Sequence, residues 1–155
     1  MNEISYMNDA VALLSQLIAT PRVSRQEAAA ADLLEQRMAD WGLKPRREGN
    51  NVWAVAGDFD QQKPTLLLNA HIDTVKAVAT WTRPPLEPSL EGDRLYGLGS
   101  NDCGGGLVTL LMTFRSMAQQ QRAYNIIYVA SCEEEVSGQN GIVRVLPLLP
   151  LLPRS

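Results

Sequence analysis

One histidine occurs among the 155 residues, His71, and in the stretch LNAHIDTV an aspartate, Asp73, follows it two positions on. On extended backbone, positions i and i+2 point to the same side, so both side chains can reach one site. Two further acid-bearing segments stand out: Asp102 in GLGSNDCGGG, and Glu133, Glu134 and Glu135 in SCEEEVSGQNG. Carboxylates drawn together repel, and a buried pair keeps a proton unless a cation lies between them. Imidazole nitrogen with carboxylate oxygen is a zinc-type donor set, for which cobalt or manganese can substitute. One carboxylate can bridge two ions ~3.5–4 Å apart, and another can orient the imidazole through its second ring nitrogen. Of two adjacent glutamates, one can ligate while its neighbour acts as general base on water. These parts suit metal-assisted hydrolysis.

Each feature alone has a plainer reading. A histidine after a strand can be a hydrogen-bonded structural residue, and a glutamate run can be a solvated loop. Gly104, Gly105 and Gly106 could form a tight turn or a weak phosphate cradle before a helix, but no GK[ST] follows, so a P-loop fails. A thiol nucleophile at Cys103 would compete for the same histidine. Cys132 reads as a small buried residue at a strand end.

The elements that must position these residues follow from periodicity. NDAVALLSQLIATP spaces Val11, Leu14, Leu17 and Ile18 along one helical face, with Asn8 as N-cap and Pro21 as the stop. SRQEAAAADLLEQRMADWG predicts a second helix, opened by a capping box of Ser24 and Glu27 and closed by Gly42 at C′. KPRRE and NVWAVAG read as strands, the latter apolar at both parities, which suits burial on both faces. PTLLLNAHID holds the most apolar strand, Thr65 to Ala70, and WTRPPLEPSLEGDRLYG is too rich in proline for a helix.

SNDCGGGLVTLLMTFRSMAQQ turns from loop into helix, with Leu107, Leu110, Leu111 and Phe114 facing inward. YNIIYVAS is a buried strand, and GIVRVL starts a helix that Pro147 stops. Helices mixed with short buried strands predict a layered α/β domain, with a mostly parallel sheet and flanking helices. The acid-bearing segments then gather beyond the carboxyl ends of strands, where open α/β sheets place functional groups.

In order, HIDTV, Trp81, Pro84 and Pro85, EGDRLYGLGSNDCGGG and SCEEEVSGQNG resemble a family of zinc-dependent deacylases. It includes acetylornithine deacetylase and succinyl-diaminopimelate desuccinylase, with carboxypeptidase G-like and aminoacylase-like relatives. The resemblance runs from the first helix to about Leu146 and is densest from His71 to Gly141. It implies that His71 ligates one metal, that Asp73 orients it, and that Asp102 bridges two metals ahead of a cis peptide bond. It makes Glu134 the general base and Glu135 a ligand of the other metal. The alternative register, Glu133 as base and Glu134 as ligand, leaves Gly141 further from the ligand. Asn101, Cys103, Gly104 and Leu98 depart from what many members carry, beside the metals rather than among their ligands.

The cofactor implied is Zn2+, two ions per complete site, with Co2+ able to substitute. The reaction implied is hydrolysis of an N-acyl amino acid, with N-acetyl- or N-succinyl-ornithine favoured and arginine biosynthesis the expected pathway. N-succinyl-diaminopimelate is next, with dipeptidase-like hydrolysis a further alternative. Family members take another carboxylate ligand and a second histidine from later in the chain, and carry an inserted lid domain that often dimerises. The expectation is therefore that 1–146 is the N-terminal part of a catalytic domain and that the Leu/Pro-rich 147–155 is a truncated or diverted end. A homodimer is expected of a full-length relative. The competing readings are a non-catalytic fragment and an interaction module that keeps the fold without its chemistry.

Bulk properties exclude other classes. Hydrophobic residues at 45% and charged residues at 20% fit a globular domain. A net charge of −3 and a pI near 5.1 argue against nucleic acid or an anionic membrane as partner. Cys103 and Cys132 make no disulfide framework, which fits a reducing compartment. No basic segment precedes the short apolar stretch Val11 to Ala19, so neither signal peptide nor membrane span is expected, and cytoplasm is the expected location.

Overall fold

The computed structural model describes residues 3–151. Two helices lead, α1 (Glu3–Ala19) and α2 (Ala28–Asp40), followed by strands β1 (Arg46–Glu48), β2 (Asn51–Val55) and β3 (Thr65–His71). A hairpin of β4 (Ser89–Glu91) and β5 (Arg94–Tyr96) comes next, then helix α3 (Gly106–Ala118), strand β6 (Asn125–Ser131) and a short helix α4 (Ile142–Val145). The main sheet has the order β1-β2-β6-β3. Among the described residues, no helix is long and apolar enough to cross a membrane.

The layered α/β architecture with flanking helices is as expected, and the strand chemistry explains it. In β6, Ile126, Tyr128 and Ala130 face one core with Leu13, Leu34, Leu111 and Phe114, while Ile127 and Val129 face a second with Trp53, Val145 and Leu149. Both parities of β6 are buried, so its sequence shows no alternation. Parallel pairing joins β3 to β6, whereas β1–β2 and β2–β6 are antiparallel, so the sheet is mixed. The reason is the links. Only the β3–β6 connection contains a crossover helix, α3, while a two-residue turn at Gly49 and Asn50 reverses β1 into β2.

Several local expectations need correction. Helix α1 begins well before Asn8, which lies inside it. Ser24 and Glu27 form no capping box: Glu27 occupies the N-cap position without a side-chain cap bond, and both side chains bond elsewhere. Gly42 does close α2, at φ +75°, with its N–H on the Ala39 carbonyl and the Leu43 N–H on that of Met38. The proline-rich stretch holds the β4–β5 hairpin, which starts just after its last proline, Pro88, and turns at Gly92. Pro147 sits within a 3-10 turn, Leu146–Leu148, and Leu149 is buried beyond it. Residues 152–155 of the Leu/Pro tail lie outside the described residues.

Gly97 links the hairpin to the Asp102 loop, at φ +153°, and a Cβ there would lie 2.3 Å from Cγ2 of the fully buried Ile18. At Gly42 an added Cβ would meet open space. Gly42→Ala is therefore expected to cost about 1 kcal/mol, from backbone conformation alone. Gly97→Ala adds overpacking and should cost about 3 kcal/mol. Equal losses in urea denaturation would contradict this packing.

Candidate functional site

Parallel pairing places His71 opposite Ser131, so β3 and β6 end side by side. The residues after them, Ile72 to Thr74 and Cys132 to Glu135, emerge together. The crossover through α3 brings a third segment to the same end, because the loop before that helix holds Asp102. That loop is an irregular helical turn, Ser100–Gly105, broken at Asp102 and Cys103, and the peptide bond between those two residues is cis.

The structure brings His71, Asp73, Asp102, Glu134 and Glu135 together. His71 Nε2 lies 3.1 Å from Asp102 Oδ1 and 3.7 Å from Glu134 Oε2. Its Nδ1 faces Asp73 with the backbone carbonyl at 3.0 Å and Oδ1 at 3.5 Å. The Asp73 carboxylate also accepts hydrogen bonds from Ser24 Oγ at 2.6 Å and from the backbone N–H groups of Glu134 and Glu135 at 3.0 and 3.1 Å. Glu133 turns away. Its buried carboxylate accepts from Asn140, through Nδ2 at 2.9 Å and the backbone N–H at 3.3 Å.

Donor atoms of His71, Glu134 and Glu135 lie within 4.8 Å of one another, and so do those of His71, Asp102 and Cys103. One imidazole among several carboxylates from separate segments fits a divalent cation, which relieves the repulsion between the acids. Cys103, a half-buried free thiol, is a nearby donor that the sequence reading left outside the ligand set. A cleft of about 300 Å³ opens beside Asp102 and Glu135, lined also by Val75, Trp81 and Leu98.

The electrostatics are set by the acids gathered around one imidazole. Hydrogen bonding to Asp73 raises the His71 imidazole to about 9, against the opposing effect of burial, with Asp102 and Glu134 adding to the rise. For Asp73, burial alone would raise the carboxyl. The hydrogen bonds from His71, Ser24 and the two glutamate amides outweigh it and hold the group at about 2. Glu135 is raised, first by burial and then by the neighbouring Asp102.

Sequence reasoning missed Arg22, Ser24 and Glu27 as neighbours of the site. Arg22 is buried and donates to the carbonyls of Ile72 and Gly99. Ser24 and Glu27 fitted a capping pattern, which masked their contacts to Asp73 and Glu133. The available signal was their position directly after Pro21, where the first helix must end.

Residues 67–152 match the model of peptidase family M20/M25/M40. The chain is 28% identical over 152 residues to a succinyl-diaminopimelate desuccinylase of Blochmanniella floridana, and 27% identical over 151 residues to one of Coxiella burnetii. Each alignment covers 92% of this chain and 40% of the relative, so the chain spans about 40% of the length of these curated relatives. An M20 family metallo-carboxypeptidase from Sulfolobus solfataricus superposes with a TM-score of 0.69 at 22% identity, covering 88% of this chain and 32% of that one. A dinuclear metal-binding M20 peptidase from Bacillus subtilis does so with a TM-score of 0.67 at 14% identity, covering 94% and 40%. At such identities the structural likeness is one of fold.

The metal-free protein should carry the signature of the His71–Asp73 pair in its stability. His71, raised from 6.5 to about 9, contributes stability that is fully present below pH 6.5 and is lost as pH rises through 9. Asp73, lowered from 3.8 to about 2, contributes stability that is present above pH 3.8 and is lost as pH falls through 2. The pair's joint contribution, on the order of 2 kcal/mol, is therefore expected to be largest between pH 3.8 and 6.5. Urea midpoints of chelator-treated protein should decline between pH 6.5 and 9, and His71→Ala should flatten that limb. A wild-type curve already flat there would contradict the pairing.

Proposed function

Since this chain belongs to peptidase family M20/M25/M40, we propose that it forms the metal-binding part of a hydrolase that removes the acyl group from an N-acyl amino acid. The observation that carries this reading is the convergence on His71 of Asp102 at 3.1 Å and Glu134 at 3.7 Å, with Glu135 in the same donor group. It favours the proposal over a module that keeps the fold without its chemistry, because carboxylates from separate segments gathered on one buried imidazole make a donor set for a cation.

Zinc, with cobalt as a substitute, would supply polarisation of the amide carbonyl and acidification of water. His71 would ligate through Nε2 after losing its proton, with Nδ1–H donating to Asp73 and so fixing the tautomer. Asp102 would be the carboxylate shared between two ions, and Glu135 a further ligand. Glu134 is left as general base: it takes a proton from the attacking water and returns it to the leaving amine as the C–N bond breaks. The products are a carboxylate and an ammonium group, which carries both protons of the water. The cleft lined by Trp81 and Leu98 offers apolar surface to the substrate beside the acids.

The identity of the amine that carries the acyl group is left to the finer features of the site and its relatives. The family resemblance of the sequence implies an ornithine derivative and arginine biosynthesis, while the desuccinylase names of the relatives support N-succinyl-diaminopimelate. We place the latter first and the N-acyl-ornithines second.

Purified protein is expected to bind zinc, and His71→Ala to abolish that binding. With zinc loaded, hydrolysis of N-succinyl-diaminopimelate should exceed that of N-acetyl-ornithine. Glu134→Ala should lower turnover by roughly 10²- to 10⁴-fold while zinc content stays unchanged. Zinc retained in full by His71→Ala, or turnover unaltered in Glu134→Ala, would contradict the assignment.

A further inference from the structure

The short segment from Arg22 to Glu27 lies between α1 and α2 and touches all three acid-bearing segments. Its backbone pairs with the chain just past His71: the Thr74 N–H donates to the Arg22 carbonyl at 2.9 Å, and the Ser24 N–H to the Thr74 carbonyl at 3.2 Å. The Arg22 guanidinium reaches the Ile72 carbonyl at 2.5 Å and, on the Asp102 loop, the Gly99 carbonyl at 3.0 Å. Ser24 Oγ donates to Asp73, whose carboxylate in turn holds the amides of Glu134 and Glu135. Glu27 completes the set, accepting the Glu133 N–H through Oε1 at 3.1 Å.

Glu27 is wholly buried, a costly position for a carboxylate. Its other partners are the Arg25 N–H at 2.7 Å and Asn50 Nδ2 at 3.1 Å, so its oxygens serve the strap, the β1–β2 turn and the glutamate loop. No side-chain bond caps α2, the helix it precedes. A capping role would have directed Ser24 and Glu27 at that helix. Their bonds go to the residues that carry the acids.

We infer that Ser24 and Glu27 are positioning residues of the metal site, an assignment that rests on the metal-hydrolase reading above. Ser24 sets the carboxylate of Asp73, and through it the His71 ring and the amides of Glu134 and Glu135. Glu27 sets the start of the glutamate loop, so that Glu133 turns inward while Glu134 and Glu135 face the imidazole. Outer partners of this kind act on metal affinity without touching the metal.

The test is zinc affinity of the full chain, read by competition with a chromogenic chelator, with far-UV circular dichroism as the check on folding. Ser24→Ala and Glu27→Ala are each expected to weaken zinc binding roughly 10- to 100-fold. Ser24→Thr and Glu27→Gln, which keep a hydroxyl and a carbonyl acceptor, should restore most of it. Gly42→Ala, which weakens the opposite end of α2, should keep wild-type affinity, separating positioning from general stability. If Glu27→Ala does not fold, Ser24→Ala decides alone, because losing one hydroxyl leaves the backbone pairing with Thr74 in place. Zinc affinity within twofold of wild type in folded Ser24→Ala overturns the proposal while leaving the metal reading intact. Wild-type protein that takes up no zinc overturns the metal reading, and this proposal with it.

Discussion

The parallel pairing of β3 with β6, in the register that sets His71 opposite Ser131, is the constraint on which the site depends. Two strands running the same way deliver their carboxyl ends to one place, and the crossover between them brings the N-terminal loop of α3 there as well. Side chains alternate across a strand, so a shift of one residue would turn the His71 side of β3 to the opposite face. Burial specifies the register: Ile126, Tyr128 and Ala130 must face the helices while Ile127 and Val129 face Trp53 and Val145.

Around that end the protein assembles groups that repel one another. Asp102, Glu134 and Glu135 approach a single imidazole, and burial beside Asp102 already raises Glu135. Asp73 differs from these acids because its charge is matched by donors. Ser24, His71 and two backbone amides hold it ionised despite its burial. It is thus the fixed anion of the site, whereas the other three acids and the imidazole are the groups that a cation would satisfy. The strap from Arg22 to Glu27 ties the fixed anion to the segments bearing the adjustable ones.

Much of this was legible in the sequence, for physical reasons. The β-branched and aromatic run of β6 and the apolar run of β3 announce buried strands, and Gly42 marks a helix end because its left-handed conformation suits glycine. The spacing of His71 and Asp73 foretold a shared site because the chain there is extended. What was not legible depended on long-range partners. Ser24 and Glu27 satisfy a local capping pattern, and nothing within four residues reveals that Asp73 and Glu133 outcompete the helix for them. The mixed strand directions likewise follow from which link holds a helix, and strand composition is silent on that. Glu133, Glu134 and Glu135 are identical in type, and only the backbone at Glu133, with φ +56°, separates the inward one from the two at the site.

One imidazole and the carboxylates of separate segments are expected to form a single cation site. X-ray absorption on the zinc-loaded protein addresses it most directly. The expected result is nitrogen and oxygen donors at about 2.0–2.2 Å from the metal, one imidazole among them. A shell of water oxygens with no imidazole, or one dominated by sulfur at about 2.3 Å, would contradict it.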